Sequence, residues 1–208
     1  FIYGPSGLGK THLLMAIKNE IQKNDPTLNV IYTNCETFSN ELILAIKNQN
    51  TGPFHEKYRH SDFFLIDDIQ FLSGKEASQE EFFHTFNELY QCGKQIVITS
   101  DRPPKDINVI ADRLKSRFEW GLLADIGAPD LETRIAIIQR KAELLQIRIP
   151  DDIINFIAAK LKSNIRQLEG AVKKIKMYKL YTGSDPSLSV AQNVIKEILN
   201  DNQPMPIT

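Results

Sequence analysis

Cysteine is scarce: Cys35 and Cys92 are the only two in 208 residues, far apart and outside any Cys-x-x-Cys pair. That excludes a disulfide framework and a zinc ribbon, and favours two reduced, buried thiols in a cytoplasmic protein. The four histidines, His12, His55, His60 and His84, fall at no ligand spacing, so no histidine metal centre is expected. No apolar run approaches the roughly 18 residues that a membrane span needs, and no signal peptide opens the chain. A dominant charge is lacking too. The formal net charge is −1, which excludes a strongly basic nucleic-acid-binding surface in bulk. The balance is uneven, however. Residues 1–129 carry 13 Lys and Arg against 17 Asp and Glu, and residues 130–208 carry 12 against 9. Such a split agrees with two units.

What is present is a globular composition, 42% hydrophobic and 25% charged, with apolar residues enough for a core. Through about residue 125, strand and helix signals alternate. Phe1–Tyr3 is apolar. A buried strand usually has about 5–6 residues, so this one reads as cut short and the chain as a fragment lacking its N-terminal neighbour. A helix follows from about Lys10, with Leu13, Leu14, Ile17 and Ile21 at helical spacing, and Asp25-Pro26 stops it. Val30–Tyr32, Phe63–Ile66 and Ile96–Ile98 are continuous apolar runs. Glu119–Ala124 is a fifth candidate strand. Helical stripes lie between them at Phe38–Ile46 and Glu80–Gln91. Runs apolar on both faces with helices between them predict an α/β fold with a five-stranded parallel sheet covered on both sides.

After Pro129 only helical periods remain, as in Ile153, Ile154, Ile157 and Leu161. Asp130 is placed to cap the first of these helices, and Asn164 with Gln167 to form a capping box. The expected division is an α/β domain over 1–129, a small helical domain over 130–202 and a linker over 203–208.

Gly4-Pro5-Ser6-Gly7-Leu8-Gly9-Lys10-Thr11 matches G-x-x-x-x-G-K-[ST] in full, after a strand and before a helix. Its glycines let backbone N–H groups turn inward around phosphate oxygens, and the helix N-terminus adds positive potential. Lys10 then reaches the terminal phosphates, and the Thr11 hydroxyl is placed to ligate Mg²⁺. Phe63–Ile66 delivers Asp67 and Asp68 at its C-terminal end, where ligand sites of open α/β sheets lie. Asp67 is read as holding Mg²⁺ and Asp68 as orienting or deprotonating the attacking water. Isolated carboxylates here could equally form a turn; beside a complete P-loop the metal reading leads. Ile96–Ile98 ends in Thr99, Ser100 and Asp101, placed to sense a γ-phosphate or to cap the next turn. Arg113 and Arg117, four apart, share a helix face, either solvated or offered as an arginine finger. Arg166 opens a helix against the macrodipole, and off its apolar face, either as a plain surface arginine or as a phosphate contact, the reading that its unfavourable place supports.

Seven ordered blocks carry a resemblance: Gly-Leu-Gly-Lys-Thr-His (7–12), Leu-Ile-Asp-Asp-Ile-Gln-Phe (65–71), Gln-Glu-Glu-Phe-Phe-His-Thr-Phe-Asn (79–87), Thr-Ser-Asp-Arg-Pro-Pro-Lys (99–105), Asp-Arg-Leu-Lys-Ser-Arg-Phe (112–118), Pro-Asp-Leu-Glu-Thr-Arg (129–134) and Ser-Asn-Ile-Arg-Gln-Leu-Glu-Gly-Ala (163–171). Together they resemble the bacterial DnaA replication-initiator family over nearly the whole chain. The resemblance implies an AAA+ P-loop module with a helical lid. It implies an ATP/ADP site with Mg²⁺, slow hydrolysis, and ATP-dependent helical self-assembly that helps to melt origin DNA. A replicative helicase or regulatory proteins are implied as further partners. His12 joins the nucleotide-binding set of Gly4, Ser6, Gly7, Leu8, Gly9, Lys10, Thr11, Asp101, Arg113 and Arg166. Arg117 becomes the arginine finger acting in trans and Arg166 the sensor 2 arginine. Ile43 and Lys75 fall where the family contacts single-stranded DNA.

Two departures stand out. Asp68 replaces the Glu of most AAA+ motors, in agreement with the initiators, and Ala77 stands where some members carry a basic residue. The family's helix-turn-helix domain is not in this chain, so duplex sequence recognition is not expected of it, and the adenine pocket is expected partly N-terminal to Phe1. An AAA+ helicase loader or an ADP-binding regulatory paralogue are the alternative readings.

Overall fold

The computed structural model describes residues 1–200; the linker expected over 203–208 lies outside the described residues. In chain order the elements are β1 (Ile2–Tyr3), α1 (Lys10–Asn24), β2 (Val30–Asn34), α2 (Cys35–Lys47), α3 (Gly52–Arg59), β3 (Phe63–Asp67), α4 (Glu76–Gln91), β4 (Gln95–Ser100), α5 (Asp112–Glu119), β5 (Ala124–Asp125), α6 (Leu131–Leu144), α7 (Asp151–Lys160), α8 (Ile165–Thr182) and α9 (Leu188–Asn200). Short 3-10 turns lie at Ile69–Leu72 and Pro104–Asp106.

The five strands form one parallel sheet in the order β2-β3-β4-β1-β5. β3 shows why its sequence is apolar throughout. Phe64 and Ile66 enter an aromatic core with Phe38, Phe54, Tyr58, Phe82 and Phe118. Leu65 enters the core on the other face with Leu14 and Val30. Each buried side chain of this size contributes about 1.5–3 kcal/mol. Both faces being covered, no alternation with polar residues is possible.

Three expectations are corrected. The fifth strand is Ala124–Asp125, not Glu119–Ala124. Leu114 and Phe118 are buried one helical turn apart, so α5 runs on to Glu119. Leu122 is 83% exposed. The strand ladder forms only where Ala124 and Ile126 donate their N–H groups to the carbonyls of Phe1 and Tyr3. Second, Cys92 is exposed and only Cys35 is buried, because Cys92 ends α4 in a surface turn with Gly93. Third, Asn164 caps α8 by accepting the N–H of Arg166 at 2.8 Å rather than that of Gln167, whose N–H goes to the Asn164 carbonyl.

The chain divides into two compact units, one over Phe1–Ile126 and one from Gly127 onward. The second is α6–α9 around Ile138, Ile154, Ile157, Leu168, Val172, Ile175 and Val194. Asp130 caps α6 through the Thr133 N–H at 2.7 Å. Within this unit the buried Arg134 donates to the carbonyls of Ala158 and Pro129, both at 2.7 Å. A guanidinium on a carbonyl of the last turn of α7 satisfies both that acceptor and the helix dipole.

Candidate functional site

The loop after β1 is shaped by its glycines. Gly4 has φ 152°, and a Cβ there would lie 2.3 Å from the Ile126 carbonyl oxygen, so only glycine lets the chain leave the sheet. Gly9, at φ 92°, is the residue from which α1 springs. It has no side chain to cap the helix, and no acidic residue stands in the first turn. The first N–H groups of α1 are therefore turned toward the loop without a side-chain acceptor of their own, the arrangement that suits an anion. Leu8 is buried under the loop, whereas Ser6 and His12 are exposed. The buried Lys10 ammonium donates to the Gly4 carbonyl at 2.7 Å and the Pro5 carbonyl at 3.0 Å.

Strand register assembles the other half. Ile66 stands opposite Ile98, so Asp67 lies beside Thr99, and Ile2 of β1 faces Thr99 from the other side. Asp67 is 4% exposed. Its Oδ2 accepts from the Thr11 hydroxyl at 2.6 Å and from the Tyr32 hydroxyl at 3.4 Å. Its Oδ1 accepts from the Thr99 hydroxyl. Burial, and then the Asp67 charge, push the Tyr32 phenol up to about 12, so Tyr32 remains a donor at neutral pH. Asp68 follows in the left-handed region, φ 58° and ψ 53°, which Asp tolerates better than most residues. Its N–H donates to the Thr99 hydroxyl at 3.0 Å, and its Oδ1 accepts from the Gln70 amide at 3.0 Å.

Asp101 takes a different posture from a free sensor. Arg102 grips both its oxygens at 2.7 and 2.8 Å, which holds the carboxyl below its usual range. Gln70, Phe71, Ser73, Asp101, Arg102, Ile107 and Asn108 line a cavity of about 290 Å³ beside it.

The structure thus brings together the loop, Lys10, Thr11, Asp67, Asp68 and the end of β4. Other candidates of the first unit stand elsewhere on it. Arg113 pairs with Glu80 of α4 and lies 4.5 Å over Phe83. Its hydrogen bond, and then its charge, hold the Glu80 carboxyl down. Arg117, one turn on, lies 4.0 Å over the exposed ring of Trp120. Ile43 is exposed on α2 beside Leu44 and Ile46. Lys75 is exposed just before α4, and its field acts on Cys35 at the start of α2. Arg166 is exposed in the first turn of α8, in the second unit.

Sequence reading misses Tyr32, Gln70 and Arg102, and it reads Thr99 with Ser100 and Asp101 as a γ-phosphate sensor or turn cap, not as a partner of Asp67. A polar residue at the end of a buried strand is a signal for Thr99. For Tyr32 and Gln70 no local signal exists.

Chemically, the Thr11 hydroxyl and Asp67 carboxylate are hard oxygen donors, fit for Mg²⁺ held mainly by phosphates and water. Among the described residues no group of three or more His, Cys, Asp and Glu could hold a metal alone.

Residues 1–125 match the family described as the bacterial DnaA ATPase domain. This chain belongs to that family. Over 95% of this chain and 83% of the other, it is similar to domain III of the Thermotoga maritima replication initiation protein DnaA, with 46% identity and a TM-score of 0.92. A structure of the replication initiator DnaA bound to AMPPCP and single-stranded DNA is 41% identical over 85% of this chain, with a TM-score of 0.77. This DnaA-family chain covers 54% of that protein, about half its length. A Thermotoga maritima RuvB variant shares the AAA+ α/β fold at 21% identity and a TM-score of 0.69, over 94% of this chain and 60% of that one. No helix among the described residues is long and apolar enough to cross a membrane.

Proposed function

We propose that this chain is the ATP-dependent switch module of a cytoplasmic replication initiator. The observation that carries the reading is the lock of Thr11 and Thr99 on Asp67, next to a buried Lys10 held at the loop, in a chain of the DnaA family. The loop amides and Lys10 bind the ATP phosphates. Thr11 and Asp67 hold Mg²⁺, which when bound screens the phosphate charge. Asp68 orients the attacking water and accepts its proton. Its carboxylate is one methylene shorter than the usual Glu, which goes with slow turnover. Hydrolysis to ADP and phosphate is the reset.

Assembly is the output. Arg117, with Arg113 beside it, reaches the γ-phosphate of a neighbouring copy, and Arg166 reports the same phosphate from its own chain. Copies joined in this way form a helical oligomer on the origin, supporting melting, with a replicative helicase or regulatory proteins as later partners. Ile43 and Lys75 contact single-stranded DNA, Lys75 through its phosphates, which makes that contact salt-dependent. Light scattering with ATP, with ADP and without nucleotide, in the presence of an oligonucleotide, tests the switch. ATP alone should raise the mass, and Arg117→Ala should abolish that rise. An Arg117→Ala chain that assembles as the parent does rules out this role.

A further inference from the structure

Asp67 and Asp68 are adjacent in sequence but differently held. Three hydroxyls surround Asp67: those of Thr11, Tyr32 and Thr99. The carboxylate of Asp68 takes one hydrogen bond among the described residues, from the Gln70 amide to Oδ1 at 3.0 Å. The Gln70 Oε1 in turn accepts the backbone N–H of Asp101 at 3.3 Å. A backbone N–H can only donate, so the amide oxygen must face Asp101 and the NH₂ must face Asp68. The base of this side chain is firm. Ile69 before it and Leu72 two residues after it in the 3-10 turn are fully buried, and the Ser73 N–H donates to the Gln70 carbonyl at 3.1 Å.

We infer that Gln70 is a positioning residue: it aims the Asp68 carboxylate and couples that aim to the end of β4. The inference rests on the proposed role of Asp68 in hydrolysis. The residue type fits the task. An amide donor orients a carboxylate without adding charge, whereas Lys or Arg at this position would neutralise Asp68 and weaken it as a proton acceptor. The second bond, to Asp101, makes the aim depend on the backbone next to Arg102. A displacement of that backbone would release the amide and with it the carboxylate.

Single-turnover hydrolysis of Mg·ATP by the chain tests this, with ATP affinity by calorimetry and thermal melting measured in parallel. Gln70→Met should hydrolyse roughly tenfold more slowly, as expected for a misdirected rather than a missing group, with ATP affinity and melting near those of the parent. Gln70→Glu keeps the acceptor for Asp101 but sets a carboxyl against Asp68. It should be as slow at about pH 9 and recover toward about pH 6, where the introduced carboxyl is protonated and donates a hydrogen bond to the Asp68 carboxylate while keeping its proton. A merely structural role gives no such recovery. Asp68→Asn separates the role of Gln70 from that of Asp68. If Asp68→Asn is slow while Gln70→Met turns over at the parent rate, the role of Gln70 is overturned and that of Asp68 stands. If Asp68→Asn itself keeps the parent rate, both fall. An equal loss of ATP affinity in Gln70→Met also overturns positioning, since the residue would then serve binding.

Discussion

Gly4 shows how tightly one residue can be constrained. A methyl group there would meet the Ile126 carbonyl oxygen at 2.3 Å, at a φ of 152° that side chains rarely adopt. Gly4→Ala should lower stability by about 1–3 kcal/mol, measured as a lower denaturant midpoint, and weaken ATP binding as the loop shifts. Cys35 gives a second test. Burial pushes its thiol up to about 12, so at pH 8 a thiol reagent should label Cys92 alone in the native chain and both thiols after unfolding. The folded value lies above the unfolded one. The stability tied to it is therefore complete below the usual thiol range and is lost as pH rises toward 12. Cys35→Ala should lose less stability over that window than the parent. The motif residues were legible at this scale because the loop is contiguous: Gly4 through Thr11 can be read in one pass. Thr99, Tyr32 and Gln70 were not, because only strand register and a 3-10 turn bring them to Asp67 and Asp68.

Among the elements, β3 was the easiest to read, since burial on both faces leaves an unbroken apolar run. Helix α3 escaped notice. It has eight residues, and its signals are only Pro53 at its start and Phe54 with Tyr58 one turn apart. β5 was misplaced because Leu122 and Leu123 look like strand residues but lie at the surface, while the two true strand residues, Ala124 and Asp125, carry no apolar run and pair with β1. The aromatic core joins these elements. Phe82 of α4 meets Phe38 of α2 at 5.8 Å and Phe118 of α5 at 6.1 Å between ring centroids. Phe82→Ala should cost about 3–5 kcal/mol, read from chemical denaturation, and should loosen α5, which carries Arg113 and Arg117. A loss below about 1 kcal/mol would show that this core is not what fixes α5.

At the scale of the whole molecule, the proposed switch depends on phosphates gripped by the loop of the first unit. The signals in the sequence were the four-residue spacing of Arg113 and Arg117 on one helix face and a charge at Arg166 set against the helix dipole, and their proposed partners are a phosphate and a second copy, so no fold of one chain could make them legible. The grip itself needs one chain and one ligand. A calorimetric titration of Mg·ATP into the chain, beside Lys10→Ala, is its most direct test. Removing one charge-assisted phosphate contact worth about 1.5–3 kcal/mol should weaken binding by roughly 10- to 150-fold. If Lys10→Ala holds ATP as firmly as the parent, the nucleotide is bound somewhere else and the account is contradicted.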